Sequence, residues 1–227
     1  MIGRTIMVAL LFGTAALAQP NTTFVPMPPG TTVQKQLVAL DGLAHDQWQA
    51  VVSKKVAGSG NGREFYQWYL SIYAPRAGAY RIRYQSPRNG GPLERVAQAA
   101  GAKMWFPVQD LKLVGAAQLM RKHYEQLIVS SHAMAADCGS ATVSVFTTGM
   151  AGRAAPAVTV TNPCELRATI VNQPDGPVLE LHGPYYAGDA AMCCPTKAKA
   201  TAVLSYRHGK WSETPNYFKV EGGTAGR

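Results

Sequence analysis

Charged residues are scarce in this sequence, at 15% of 227 residues, which is well below the quarter that is usual in globular proteins. Long charged helices and coiled coils are therefore not expected. Acidic residues are the scarcer sign, with 13 Asp and Glu against 22 Lys and Arg, so the formal net charge is +9. Because apolar residues make up 47% of the chain, a disordered or collagen-like protein is also excluded.

Catalytic signatures are missing as well. The sequence contains no Gly-x-Ser-x-Gly nucleophile elbow, no glycine-rich phosphate loop, no dinucleotide-binding fingerprint and no His-Glu-x-x-His zinc motif. Several aspartates stand at turn-like positions, where Asp commonly makes local hydrogen bonds. The sequence therefore predicts no catalytic residue, no cofactor and no metal site, and it favours a non-enzymatic protein.

Long apolar runs are absent after the first eighteen residues. Arg4 precedes an uncharged stretch that ends in the small-x-small sequence Ala16-Leu17-Ala18, which is typical of a signal-peptide cleavage site. The stretch is shorter than the roughly 20 residues that a membrane-spanning helix needs. We therefore expect a signal peptide over residues 1–18, no transmembrane segment, and an exported protein.

In the rest of the chain, apolar and polar residues mostly alternate from one position to the next. Tyr66 to Ile72 and Tyr80 to Tyr84 alternate apolar and polar side chains, and short turn sequences rich in Gly, Pro and Asn separate such runs. This pattern predicts a mainly β fold of antiparallel meanders, arranged as a sandwich or as blade-like sheets. One short helix is expected near residues 92–101, where Pro stands near the start and Gly at the end.

The predicted domain organisation begins with an extended lead-in over residues 19–30, which is rich in proline. A β-rich region follows over residues 31–227. Two similar halves are predicted within it, about 31–107 and 108–227, because Leu37–Leu43 resembles Leu113–Leu119. Each of these segments is followed by a polar stretch and then by an apolar, β-rich run.

This internal similarity weakly resembles the strand–turn–strand opening of FG-GAP-like propeller repeats. In those repeats the turn binds calcium through alternating Asp residues. The turn at Asp41–Asp46 lacks the alternating carboxylates, and the turn at Ala117–Lys122 has none. Because calcium takes six or more oxygen ligands, no calcium site is carried over.

Four cysteines in an exported chain suggest two disulfides, because that compartment is oxidising. Cys138 could pair with Cys164, which leaves Cys193 and Cys194 to each other, or each of the first two could pair with one of the adjacent cysteines. Both pairings are left open. A zinc site that combines Cys193 and Cys194 with His182 and His208 is a weaker alternative, since zinc ligands are usually separated by two or more residues.

A hairpin register bears on the local pairing. If the turn starts at Gly149, Ser140 to Thr148 pairs with Pro156 to Asn162, and facing residue numbers sum to 302–304. Cys138 and Cys164 would then face each other just beyond the strand ends, within the separation that a disulfide requires.

The string Met192-Cys193-Cys194-Pro195-Thr196, followed by an alternating basic strand and a Gly-Lys turn, resembles the C-terminal hairpin of uncharacterised exported bacterial proteins. The resemblance covers about residues 186–217. It implies a bacterial periplasmic or secreted setting and a structural role for the cysteines, and it brings no catalytic residue with it.

Basic and aromatic residues mark the candidate ligand surfaces. Arginines concentrate around one predicted strand, a second basic group occupies the last hairpin, and an aromatic, polar loop lies beside the adjacent cysteines. The candidate ligand-surface residues are Arg81, Arg83, His182, Tyr185, Tyr186 and Asp189. We expect a binding or envelope-associated protein whose partner is an anionic envelope component or an acidic protein rather than nucleic acid. A periplasmic hydrolase, or an inhibitor that uses the loop at 187–196, is the alternative.

Overall fold

The computed structural model describes residues 30–41, 46–60, 63–76, 79–86, 108–120, 124–133, 139–147, 155–187 and 195–222. These residues form an all-β fold of antiparallel sheets, so the predicted β class with meanders is confirmed. The helix predicted at 92–101 lies outside the described residues, as do the predicted signal peptide and nearly all of the lead-in.

The strands form three sheets that follow one another along the chain. The first sheet consists of β1 (Thr32–Asp41), β2 (Asp46–Gly60), β3 (Arg63–Arg76) and β4 (Ala79–Ser86) in sequence order. The second sheet consists of β5 (Val108–Ala117), β6 (Gln126–Ala133), β7 (Ser140–Thr147) and β8 (Ala155–Pro163), with β13 (Lys219–Gly222) added beside β8. The third sheet consists of β9 (Arg167–Gln173), β10 (Gly176–Tyr185), β11 (Lys197–Arg207) and β12 (Lys210–Thr214).

The predicted hairpin register is confirmed. Ser140 pairs with Pro163 and Val145 pairs with Val158, so facing residue numbers sum to 303 before a bulge at Phe146. The register is well specified because Val143, Val145 and Val158 are buried on one face of the sheet, and a slip by one residue would turn them away from the core.

The second sheet is the central layer, because both of its faces are buried. On β6, Leu127 and Val129 pack in a cluster with residues of the first sheet, whereas Ile128 between them packs in a cluster with residues of the third sheet. Successive side chains on a strand point to opposite faces, so this alternation places one sheet on each side of β6. The described part of the fold is therefore three stacked sheets with two apolar interfaces.

Aromatic and aliphatic side chains fill the interface between the first and second sheets. Phe146 is completely buried there, and its ring contacts Tyr84 edge to face with centroids 4.9 Å apart. Burying a side chain of this size contributes about 1.5–3 kcal/mol of free energy, so the interface stabilises the stacking of the two sheets.

A crossover at the end of the chain ties the third sheet to the second. After β12 the chain passes through Pro215 and reaches β13, which pairs with β8. Phe218 is buried in the core between these two sheets, and the ring of Tyr217 lies 6.4 Å from it. The crossover therefore joins two layers by both covalent continuity and apolar packing.

Candidate functional site

The sequence-predicted ligand residues are distributed over two different sheets. Arg81 and Arg83 belong to β4, the last strand of the first sheet, and Arg83 is half-buried. His182 and Tyr185 belong to β10 of the third sheet, and Tyr186 follows them. Because the central sheet lies between these layers, the arginines and the second group do not form one site. Asp189 lies outside the described residues.

The imidazole of His182 is engaged by its own sheet. Its Nε2 lies 2.7 Å from Glu180 Oε1, and its Nδ1 lies 3.2 Å from Thr201 Oγ1. Glu180 shares a strand face with His182 because the two are separated by one residue, and Thr201 is the cross-strand partner of His182. Both ring nitrogens are therefore held within the outer face of the third sheet.

Tyr185 and Tyr186 pack against neighbouring segments. The ring of Tyr185 lies 4.8 Å from that of Tyr217 in the crossover, and the Tyr186 hydroxyl donates a hydrogen bond to Cys164 Sγ at 3.2 Å. Lys197 Nζ donates to the Tyr217 hydroxyl at 3.2 Å and lies 5.1 Å from the ring centroid. These aromatic residues act first as packing between β10, β11 and the crossover.

The histidines of the weaker zinc alternative are far apart. His182 pairs with Thr201 near the middle of β11, whereas His208 stands in the turn after the end of that strand. At 3.3 Å per residue, the backbones at 201 and 208 are about 20 Å apart. Within the described residues, no group of three or more His, Cys, Asp and Glu side chains could hold a metal ion.

Cys164 stands at the point where three segments meet. It follows β8 with a positive φ of 68°, and its N–H donates to the Gly139 carbonyl at 2.7 Å. Tyr186 reaches its sulfur, and the neighbouring Ala187 N–H donates to Thr196 Oγ1 at 2.9 Å. This hydrogen bond between Ala187 and Thr196 thus links the residues on either side of the segment that contains the adjacent cysteines. Cys138, Cys193 and Cys194 themselves lie outside the described residues.

The sequence did not indicate a cleft that lies between the second and third sheets. Its volume is about 760 Å³, and it is bounded on one side by residues 164–168 at the start of β9. The other side is a group that we call the polar shelf, which consists of Asp110, Lys112, Ser130 and His132. A volume of this size is within the range of ligand-binding clefts.

Strand register builds the polar shelf. Asp110 pairs with His132 and Lys112 pairs with Ser130 across β5 and β6, so the four positions are neighbours. Ile128 lies on the same face of β6 two positions before Ser130 and belongs to the core toward the third sheet. The face is therefore apolar where β9 to β12 cover it and polar where they do not. The missed signal is the change from apolar to polar residues at alternate positions along β6.

The charges of the cleft are paired between residues that are two positions apart in the chain. Lys112 Nζ lies 2.5 Å from Asp110 Oδ2, and Arg167 Nη2 lies 2.6 Å from Glu165 Oε1. Among the described residues, His132 makes no hydrogen bond to either carboxylate. The arrangement thus lacks the bond between a base and an orienting carboxylate that nucleophilic catalysis uses. It offers polar groups that could contact a ligand.

The last hairpin, formed by β11 and β12, has exposed basic side chains, whereas the side chain of its one acidic residue, Glu213, points toward the crossover. We call it the basic hairpin, and its cations are Lys197, Lys199, Arg207 and Lys210, all of them exposed. Its only carboxylate, Glu213, accepts hydrogen bonds from Tyr217 N–H at 2.9 Å and from Phe218 N–H at 3.0 Å. Burial raises the pKa of Glu213 above its usual range, and the two backbone hydrogen bonds oppose that rise.

Few carboxylates neutralise the basic hairpin. Asp175 lies 3.5 Å from Arg207, and both side chains are largely exposed, so this pair is weak. Lys199 and Lys210 form no ion pair within the part of the chain that the structure describes. Hydroxyl groups lie between the cations, with Ser205 opposite Ser212.

Comparisons with protein-family models, with curated proteins and with solved structures gave no significant match. In the described ranges, no helix has the length and apolar character to cross a membrane.

Proposed function

We propose that this chain is an exported, non-enzymatic binding protein of the bacterial envelope that recognises an anionic envelope component through its basic hairpin. The observation that carries the proposal is the inward orientation of Glu213. Four cations of the hairpin are exposed while its one carboxylate is used to hold the crossover. The formal net charge of +9 supports long-range attraction to the same kind of partner.

The ligand chemistry that fits this surface is a repeated phosphate or carboxylate group. Lysine ammonium groups bind such anions as point charges, and the hydroxyls of Thr201, Ser205 and Ser212 can donate hydrogen bonds beside them. An anionic lipid headgroup and an anionic cell-wall polymer share this chemistry. The test therefore needs a separate measurement on each.

Binding should be measured by co-sedimentation with phosphatidylglycerol vesicles, with zwitterionic vesicles, and with a purified phosphate-rich cell-wall polymer, at two salt concentrations. The double variant Lys199→Ala/Lys210→Ala should weaken binding about thirtyfold, because each lysine near an anionic surface contributes about 1 kcal/mol. The matched control is Lys112→Ala/Lys219→Ala. It removes the same charge at lysines that already pair with Asp110 and Glu221.

Equal weakening by both double variants would show that net charge alone attracts the ligand and would contradict a specific hairpin surface. Arg81→Ala/Arg83→Ala tests the other basic group that the sequence indicated. If only that variant abolishes retention, the ligand surface lies on β4 instead.

We also infer that Cys138 and Cys164 form one disulfide. β7 and β8 are paired in the confirmed register, and the Cys164 N–H bond to Gly139 brings the residue after Cys138 to Cys164. Cys193 and Cys194 then remain for each other. Peptide mass mapping without reduction should recover the 138–164 link, and free thiols at all four positions would refute both pairings that the sequence left open.

A hydrolase is the second candidate, and one feature favours it. His132, Asp110 and Glu165 line one cleft, which places an imidazole and two carboxylates near any ligand there. If the cleft is catalytic, hydrolysis of a chromogenic ester or amide should disappear in His132→Ala and persist in His182→Ala. The binding proposal expects no turnover with either protein.

A further inference from the structure

Within the described residues, each sheet ends in strands that have one strand neighbour, and most of these terminal strands carry a feature that blocks further pairing. The register of β1, β4 and β5 with their neighbours is interrupted by bulges. β13 has four residues, and β12 has five residues and is followed by Pro215. Bulges, short length and proline are the usual means by which terminal strands avoid pairing with other chains.

β9 has none of these features. Its seven residues pair with β10 in unbroken register from Arg167 to Gln173, and its only charged residue is Arg167 at the start. The centre of the strand is Thr169-Ile170-Val171, which consists of β-branched residues that favour strand pairing. Within the described residues, the backbone of β9 makes hydrogen bonds only with β10. The outer backbone groups of β9 are therefore available to an additional strand.

The open edge of β9 borders the cleft. β9 begins next to Cys164, close to Gly139, and crosses the central sheet to Gly115, where a Cβ would lie 2.5 Å from Ile170 Cδ1. The strand thus runs obliquely over the central sheet and leaves the polar shelf uncovered. Adjacent strands are about 4.8 Å apart, so one more strand beside β9 would lie over that shelf.

The overhang of the polar shelf decides between two occupants. If a second copy of the chain paired its β9 with this β9, the polar shelves of the two copies would both project beyond the β9 edges in the same layer. The two shelves would therefore collide. A single extended peptide needs no space in that layer. We propose that the cleft accepts an extended peptide segment of an exported partner, which adds as a fifth strand to the edge of β9.

The neighbours of this added strand define the peptide chemistry. The residue beside Ile170 meets the apolar edge of β5, whereas the residue beside Ala168 lies over the polar shelf and should be small and polar. The residue beside Arg167 should be acidic, since that guanidinium is exposed and its ion pair with the exposed Glu165 is weak. Proline is excluded from the paired positions because it has no N–H to donate.

The probe is the blocked, fluorescently labelled peptide Thr-Ser-Thr-Val-Thr-Ser-Glu, which places these residues antiparallel to β9. At about 1 mM peptide, a concentration that detects even weak association, hydrogen exchange at alternate amides of β9 should slow about tenfold. The same peptide with Pro in place of its central Val should give no protection. No protection of β9 by the first peptide, or equal protection by both, would overturn the proposal.

Arg167→Glu and Lys210→Glu form a matched pair of charge reversals on the two terminal strands of the third sheet. Arg167→Glu should weaken peptide binding about fivefold through loss of one exposed ion pair, and Lys210→Glu should leave it unchanged. Lys210→Glu instead tests the basic hairpin, so a failure of the peptide proposal can be distinguished from a failure of the anion-binding proposal. If sedimentation shows a dimer whose β9 amides are protected without peptide, the occupant is a second copy and the peptide proposal is wrong.

Discussion

Glu213 holds the crossover between the third and second sheets, and its replacement offers the sharpest test of the fold. In Glu213→Ala, the Phe218 N–H loses its acceptor, whereas the Tyr217 N–H keeps its hydrogen bond to the Pro215 carbonyl at 3.0 Å. Phe218 is only 5% exposed, so water cannot readily replace the carboxylate there. An unsatisfied buried N–H costs about 1–3 kcal/mol, and relief of the buried charge offsets part of that cost. We expect a loss of about 2 kcal/mol in the free energy of unfolding.

Glu213→Gln separates the acceptor from the charge. The amide oxygen can accept both hydrogen bonds, so this variant should unfold within about 1 kcal/mol of the parent at neutral pH. Because burial raises the pKa of Glu213 in the folded protein, the folded state keeps the proton after the unfolded chain has lost it. The stability contribution is therefore full below the ordinary pKa of 4.5 and is lost as pH rises through the higher folded value. Glu213→Gln should remove this pH dependence.

Guanidinium titration followed by tryptophan fluorescence measures these differences, with thermal melting as a second measurement. A loss of 2 kcal/mol corresponds to a fall in melting temperature of about 4–8 °C for a chain of this size. Glu221→Ala is the control, because Glu221 is exposed and pairs only with Lys219, and it should change stability by less than about 0.5 kcal/mol. A similar small effect for Glu213→Ala, or an equal loss for Glu213→Gln, would refute the role of the carboxylate as an acceptor.

Three further predictions concern packing, a buried polar group and the disulfide. Gly183→Ala should destabilise the protein by about 1–3 kcal/mol in the same denaturant titration, because its Cβ would lie 2.5 Å from the Glu165 carbonyl oxygen. Gly222→Ala is the control and should be neutral, because its Cβ would meet no atom within 4 Å. Gln126→Leu should cost about 2 kcal/mol or more in that assay, since the buried amide accepts from Met120 N–H and donates to the Tyr124 carbonyl; stability equal to the parent would contradict this. If the proposed Cys138–Cys164 disulfide forms, Cys138→Ser should lower stability by about 3.5 kcal/mol by the chain-entropy model, and the parent treated with reductant should lose a similar amount.

The hairpin of β7 and β8 shows how much of the fold local sequence specifies. Alternation of apolar and polar residues around one glycine-containing turn was sufficient to predict that the numbers of facing residues in this hairpin sum to 302–304, and the structure has 303 at Ser140 and Pro163. The alternating runs in β3 and β4 likewise predicted strands that the structure contains. Alternation works because it is a property of the individual strand, and a strand with one buried face tolerates few registers.

The candidate site was less predictable. The sequence grouped His182, Tyr185 and Tyr186 as a ligand surface, but these side chains contact Thr201, Tyr217 and Cys164, which are distant in the chain. The basic hairpin was visible as a cluster of cations. The inward direction of Glu213 was not, because its hydrogen bonds depend on where the crossover passes.

The sequence by itself determined the β class, the antiparallel meanders and the register of at least one hairpin, since these depend on period and on short turns. Only the tertiary structure decided that the second sheet lies between the other two and that β9 crosses it obliquely. That crossing leaves Asp110, Lys112, Ser130 and His132 uncovered and opens the cleft. Alternation along a strand shows which face of the strand is apolar. Which sheet covers that face depends on packing between side chains that are far apart in the chain.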